Sequence, residues 1–148
     1  MHIWFGSGKS IPPDFCSNNF AAEAGANLKK VVLVVDDEPL IADTISAVLT
    51  EHGFAAYGCY SGEEAVRLAL TLRPNIVLSD VLMPNMSGVE MAIDIKNHLP
   101  ETRIVLLSGH AATAGLLRQA AVDGHRFELL AKPIHPEELI EMLKRNSG

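Results

Sequence analysis

Five residues of this 148-residue chain are of types that do chemistry together: Asp36, Asp37, Asp80, Ser108 and Lys132. Each closely follows a short apolar run. Val31–Val35 precedes the acidic pair, residues 76–78 precede Ser79 and Asp80, residues 104–107 precede Ser108, and residues 127–131 precede Lys132. A charge does not sit at the edge of an apolar core without a partner or a task. Any one of these residues could be a helix cap or a turn residue. Four sets at equivalent places read as a site. Three carboxylates about 4 Å apart, at an effective dielectric near 20, repel by on the order of 4 kcal/mol per pair. A divalent cation removes that conflict, and oxygen-only ligands on an incomplete shell suit Mg²⁺ or Mn²⁺. A lysine and a hydroxyl facing the same ion supply positive charge and hydrogen bonds to the equatorial oxygens of a phosphoryl group in transfer. An aspartate carboxylate is itself a phosphoryl acceptor. Together the residues suggest metal-assisted phosphoryl transfer to a carboxylate.

The elements that must position these groups follow from the hydrophobic pattern. Val31–Val35 is apolar and mostly β-branched, the mark of a buried strand. After the acidic pair, Pro39 suits the first turn of a helix, and Ile41, Ile45, Val48 and Leu49 share one helical face up to Gly53. A second strand is predicted over residues 54–57. Ser61 with Glu64 forms a capping-box pattern ahead of a helix with Ala65, Leu68, Ala69 and Leu72 on its inner face. Pro74 closes that helix and the strand ending in Asp80 follows. Ser87 with Glu90 is a second capping box, opening a helix from Gly88 to about His98. A fourth strand spans 104–107, a helix 111–122, a fifth strand 127–131, and Pro136-Glu137-Glu138 opens a last helix. Five strands alternating with five helices through short loops predict parallel pairing in a doubly wound α/β sheet covered on both faces. In such sheets ligands bind beyond the carboxyl ends of the strands, which is where the five residues fall.

Residues 1–28 have Gly, Pro, Asn and Ser without strand or helix periodicity, and are read as a flexible N-terminal tail or extension; residues 29–148 form the folded domain. Gly8-Lys9-Ser10 imitates the end of a phosphate-binding loop, but the required earlier glycine is replaced by Ile3 and no strand precedes it. The net charge of −6, from 12 basic and 18 acidic residues, argues against sequence-independent binding to nucleic acid or anionic membranes. Cys16 and Cys59 lack metal-ligand spacing, and the six histidines include no i, i+4 helical pair, so a zinc site is not expected. No apolar run approaches a membrane span. A reduced, cytoplasmic compartment is the simplest expectation.

Asp36-Asp37, the run from Asp80 to Gly88 (Asp-Val-Leu-Met-Pro-Asn-Met-Ser-Gly), Ser108-Gly109 and Lys132-Pro133 resemble the receiver domain of two-component response regulators. The resemblance covers about residues 29–146. It implies a flavodoxin-like sheet with strand order 2-1-3-4-5. It implies that Asp80 accepts a phosphoryl group from the phosphohistidine of a sensor histidine kinase or a histidine phosphotransfer protein. Asp37, Asp80 and the backbone carbonyl of Leu82 would hold Mg²⁺, with Asp36 acting largely through water. Ser108 and Lys132 would hold phosphoryl oxygens, and the Lys132-Pro133 bond would be of a kind often cis. Modification would switch the surface of helix 4, strand 5 and helix 5, which is also the candidate homodimer surface. The family's role is signalling, not enzymatic turnover, although the domain assists its own phosphorylation and dephosphorylation. Two departures stand out. The ring usually found three residues before the lysine is replaced by Leu129, with Phe127 about 7 Å away along the strand. No output module follows the last helix, as in a stand-alone receiver or a piece of a longer parent. His110, Leu82, Leu129 and Pro133 are candidate modulators of the switch or of phosphoryl lifetime.

Three rivals are weaker on the residues themselves. A phosphorylation-independent interaction module of the same fold should lack the acidic pair, the acceptor or the lysine, and all are retained. A metal-dependent phosphatase with an aspartate nucleophile would want a general acid two residues on, where Leu82 stands. A flavin-binding protein would want a phosphate-cradling loop after the first strand rather than two aspartates.

Overall fold

The computed structural model of the chain describes residues 3–5, 9–11, 28–109, 113–125 and 127–145. Two short strands, β1 (Ile3–Phe5) and β2 (Lys9–Ile11), pair antiparallel with Ile3 opposite Ile11. The reading of residues 1–28 as lacking strands missed this hairpin, because three residues are too few for alternation to show. Lys9 and Ser10 lie on β2 rather than at the start of a helix, as rejection of the phosphate-loop reading requires.

The main body runs β3 (Val31–Val35), α1 (Pro39–Glu51), β4 (Ala55–Cys59), α2 (Gly62–Leu72), β5 (Ile76–Asp80), α3 (Gly88–His98), β6 (Arg103–Ser108), α4 (Thr113–Val122), β7 (Glu128–Ala131) and α5 (Pro136–Arg145). Its five strands form one parallel sheet in the order β4-β3-β5-β6-β7. Counted along the chain from β3, that is 2-1-3-4-5. β4 extends to Cys59, two residues beyond its expected end, and β7 begins one residue late.

Strand alternation divides the core. Val32, Val34, Leu78, Val105 and Leu107 face α1 and α5, meeting Ala42, Leu49, Leu139 and Leu143. Leu33, Val35, Val77 and Leu106 face the other way, meeting Ala65 and Leu68 of α2, Met91 and Ile95 of α3, and Ala120 of α4. Each large aliphatic side chain in these layers contributes about 1.5–3 kcal/mol by leaving water. α4 shares least in this: Ala120 is its one fully buried side chain among the described residues.

Local signals set the helix starts. Ser87 and Glu90 form the complete reciprocal box, with Glu90 N donating to Ser87 Oγ at 3.1 Å and Ser87 N to Glu90 Oε1 at 3.0 Å. The Ser61–Glu64 pattern is realised by half. Ser61 Oγ accepts from Glu64 N, but the Glu64 carboxylate takes the backbone N–H of Tyr60 instead. α1 has no side-chain cap and relies on Pro39 at its first turn. At the opposite end of the sheet, Arg103 grips Glu128 through two hydrogen bonds of 2.6 and 2.7 Å. It also donates to the Met142 and Leu143 carbonyls, tying β6, β7 and the end of α5 together.

Candidate functional site

The register brings the polar groups to one edge. β5 is flanked by β3 and β6, with Val35 opposite Ser79 and Leu107 opposite Asp80. The residues after Val35 therefore emerge beside Asp80. Asp36 N donates to the Cys59 carbonyl at 3.1 Å, which fixes the exit of β3 against β4. On the far side Ser108 pairs with Ala131, and Lys132 N donates to the Ser108 carbonyl at 3.0 Å, so Lys132 leaves β7 alongside β6.

Carboxylate oxygens of Asp36, Asp37 and Asp80 all lie within 4.8 Å of one another. The Lys132 ammonium sits 3.2 Å from Asp80 Oδ2 and offsets part of this negative charge. The three acids differ in setting. Asp37 is exposed, Asp80 is partly buried, and Asp36 is only 2% exposed. Asp36 Oδ1 accepts from Glu38 N at 2.9 Å, while its Oδ2 is buried with no hydrogen-bond partner. Burial raises the Asp36 pKa above its ordinary value of 3.8, and Asp80 and Asp37 push the same way. The Glu38 hydrogen bond and Lys132 oppose the shift. A buried carboxylate oxygen without a donor, on a residue grouped with two further carboxylates, fits a hard divalent cation.

The geometry thus gathers Asp36, Asp37, Asp80 and Lys132, with Ser108 at the end of the neighbouring strand. Leu82 follows in the loop and is 39% exposed, next to the carboxylates in sequence. The Lys132-Pro133 bond is cis. Leu129 is 49% exposed on β7, whereas Phe127 packs partly against the core on the α2–α4 side and lies parallel to the His125 ring. His110 lies outside the described residues.

Two supporting residues were not legible in advance. A Cβ on Gly88 would overlap the Asp80 carbonyl oxygen, so α3 reaches the loop after Asp80 only because residue 88 has no side chain. Ser79, fully buried, donates its hydroxyl to that same carbonyl at 2.9 Å. Gly109 is similar in kind: its bare Cα lets the Lys132 side chain pass, with Cδ 3.0 Å from where a Cβ would lie.

A five-stranded doubly wound parallel sheet with an acidic triad and a lysine at its carboxyl edge defines a flavodoxin-like domain of receiver type. The family model for the response regulator receiver domain matches residues 32–144, and the chain belongs to that family. Among curated relatives it is 30% identical over 113 residues to the probable transcriptional regulatory protein TcrX of Mycobacterium tuberculosis, covering 76% of this chain and 47% of the relative. It is 27% identical over 117 residues to the regulatory protein AtoC of Escherichia coli, covering 77% and 24%. The chain therefore spans less than half the length of these relatives. Chemotaxis protein CheY4 of Vibrio cholerae superposes with a TM-score of 0.70 at 28% identity, covering 79% of this chain and 98% of that one. A response regulator receiver domain protein from Clostridium thermocellum gives 0.71 at 27%, covering 78% and 92%. Among the described residues no helix is long and apolar enough to cross a membrane.

Proposed function

We propose that this receiver domain is a working phosphoacceptor, taking a phosphoryl group onto Asp80 from a phosphohistidine of a sensor kinase or histidine phosphotransfer protein. The observation that carries this reading is the convergence of three carboxylates and Lys132 around the end of β5, with a buried Asp36 oxygen left unpartnered. In the transfer an Asp80 carboxylate oxygen attacks phosphorus, the donor's N–P bond breaks, and the O–P bond of an aspartyl phosphate forms. The imidazole leaves with the electron pair and takes a proton from solvent.

Asp36, Asp37 and Asp80, with the Leu82 carbonyl, would hold Mg²⁺ or Mn²⁺. When bound, the ion neutralises the carboxylates and shields the incoming phosphoryl charge. Lys132, already 3.2 Å from Asp80 Oδ2, stays beside the acceptor and pairs with a phosphoryl oxygen after transfer. The Ser108 hydroxyl donates to a second oxygen. Hydrolysis of the phosphoaspartate resets the domain. No side chain capable of orienting water stands at Leu82, which leaves that step to the loop after Ser108. The protein therefore acts as a switch whose output is a surface around α4, β7 and α5 changed chiefly by movement of α4, read by a downstream protein or by a second copy.

Metal binding tests the reading. Mg²⁺ titration followed by calorimetry should give one site in the wild-type protein and none in Asp37→Ala, with Asp36→Ala weakened. Undiminished binding by Asp37→Ala would place the cation elsewhere.

A further inference from the structure

Ser79 is an unusual residue for its place. It stands on the central strand opposite Val35 and Leu106, both members of the apolar layer under α2 and α3. A hydroxyl in such a layer is costly unless it is hydrogen-bonded. Ser79 is 0% exposed, and its hydroxyl reaches one acceptor, the carbonyl of the neighbouring Asp80 at 2.9 Å.

That carbonyl needs a donor. The β3–β5 pairing ends at Val35 and Ser79, so the Asp80 carbonyl lies past the last rung on that side. On the β6 side, the next bond is made by Val81 N to the Leu107 carbonyl at 3.2 Å. The start of α3 then closes over this turn: Gly88 N donates to the carbonyl of the next peptide, that of Val81, at 2.8 Å, and the bare Gly88 Cα packs against the Asp80 oxygen. The carbonyl of the peptide joining Asp80 to Val81 is thus met by a hydroxyl and by a bare glycine Cα. This peptide sets the angle at which the Asp80 side chain leaves the strand and the path by which the chain reaches Leu82.

We infer that Ser79 is a positioning residue for phosphoryl acceptance: its buried hydroxyl fixes the Asp80–Val81 peptide, and through it the carboxylate presented to the cation and to the phosphoryl group. Removing the hydroxyl leaves the strand and its packing in place but frees the peptide to tilt. The acceptor remains present with a less defined geometry.

The inference rests on the reading of Asp80 as a Mg²⁺-dependent acceptor, and the test separates the two. Wild type, Ser79→Ala, Ser79→Cys and Ser79→Thr are compared for Mg²⁺ affinity, for phosphorylation rate by a small-molecule phosphodonor, for unfolding midpoint, and for amide shifts of residues 80–82 without metal. Ala and Cys fit the volume that Ser79 fills, so both keep the fold. Loss of the hydrogen bond should weaken Mg²⁺ binding and slow phosphorylation about 3- to 10-fold in Ser79→Ala. Shifts should appear at Val81 and Leu82 in the metal-free protein. Ser79→Thr, which restores the hydroxyl, should recover most of the Mg²⁺ affinity, and Ser79→Cys should fall between. A lowered midpoint with wild-type Mg²⁺ affinity and rate in folded Ser79→Ala would make the hydroxyl merely structural and overturn the inference. Wild-type protein that neither binds Mg²⁺ nor gains phosphate would remove the functional reading and this inference together.

Discussion

At the scale of the residue, the site is a set of charges held in conflict. Asp36 bears most of it, since its Oδ2 is buried without a donor and two carboxylates stand within 4.8 Å. A carboxyl whose folded pKa lies above its unfolded value holds its proton more tightly when folded. Its stabilising contribution is therefore complete below the unfolded value near 3.8 and is lost as pH rises through the folded value. At neutral pH without metal, Asp36 destabilises the fold. Asp36→Asn should accordingly be more stable than wild type at pH 7 by about 1–3 kcal/mol, the range for relieving an unsatisfied buried group. The advantage should shrink as pH falls below the raised Asp36 pKa, and saturating Mg²⁺ should shrink it at pH 7. Denaturant unfolding at several pH values checks this; a destabilised Asn variant at pH 7 would contradict it. The acids, the hydroxyl and the lysine were legible in the sequence because each ends an apolar run. Ser79 and Gly88 were not, because a hydroxyl's acceptor and the clearance for a Cβ depend on how closely α3 approaches β5.

At the scale of the element, the strands and helices differ in how firmly they are held. α2 buries Gly62, Ala65, Leu68, Ala69 and Leu72, and α3 buries Gly88, Val89, Met91, Ala92 and Ile95. α4 contributes Ala120, with Leu116 and Val122 exposed. β7 and the end of α5, by contrast, are pinned to β6 by the Arg103 guanidinium. Leu129 already lies half exposed and has no hydroxyl, so it cannot swing into a buried hydrogen-bonded position as a tyrosine could. On the proposed function, movement of the Ser108 hydroxyl toward a phosphoryl oxygen would draw on α4, the least anchored helix. Amide shifts with and without a non-hydrolysable phosphoryl mimic should concentrate at Ser108, Gly109 and the first turn of α4, with the outer face of β7 little changed. Large shifts confined to residues 127–130, with Thr113 unmoved, would place the coupling in β7. Element types were legible throughout the main body from apolar periodicity and capping residues. The three-residue strands β1 and β2 were not, being shorter than any periodic signal.

At the scale of the whole molecule, residues 1–28 show no apolar periodicity of the kind that fills a core, and β1 meets the main body at the edge strand β4. Deleting residues 1–28 should therefore move the folding free energy by no more than about 0.5 kcal/mol. A loss of several kcal/mol on urea unfolding would show that the N-terminal stretch is part of the core. The domain's design is a stable sheet that delivers four strand ends to one edge, with Asp80 on the central strand. Only Asp80 is a carboxylate at the exit of that strand, flanked by Lys132 at 3.2 Å. The most direct measurement is intact mass after incubation with a small-molecule phosphodonor and Mg²⁺. Wild type should gain one phosphoryl group, and the gain should vanish in Asp80→Asn and when Mg²⁺ is chelated. An undiminished adduct on Asp80→Asn would contradict the assignment of Asp80 as the phosphoacceptor.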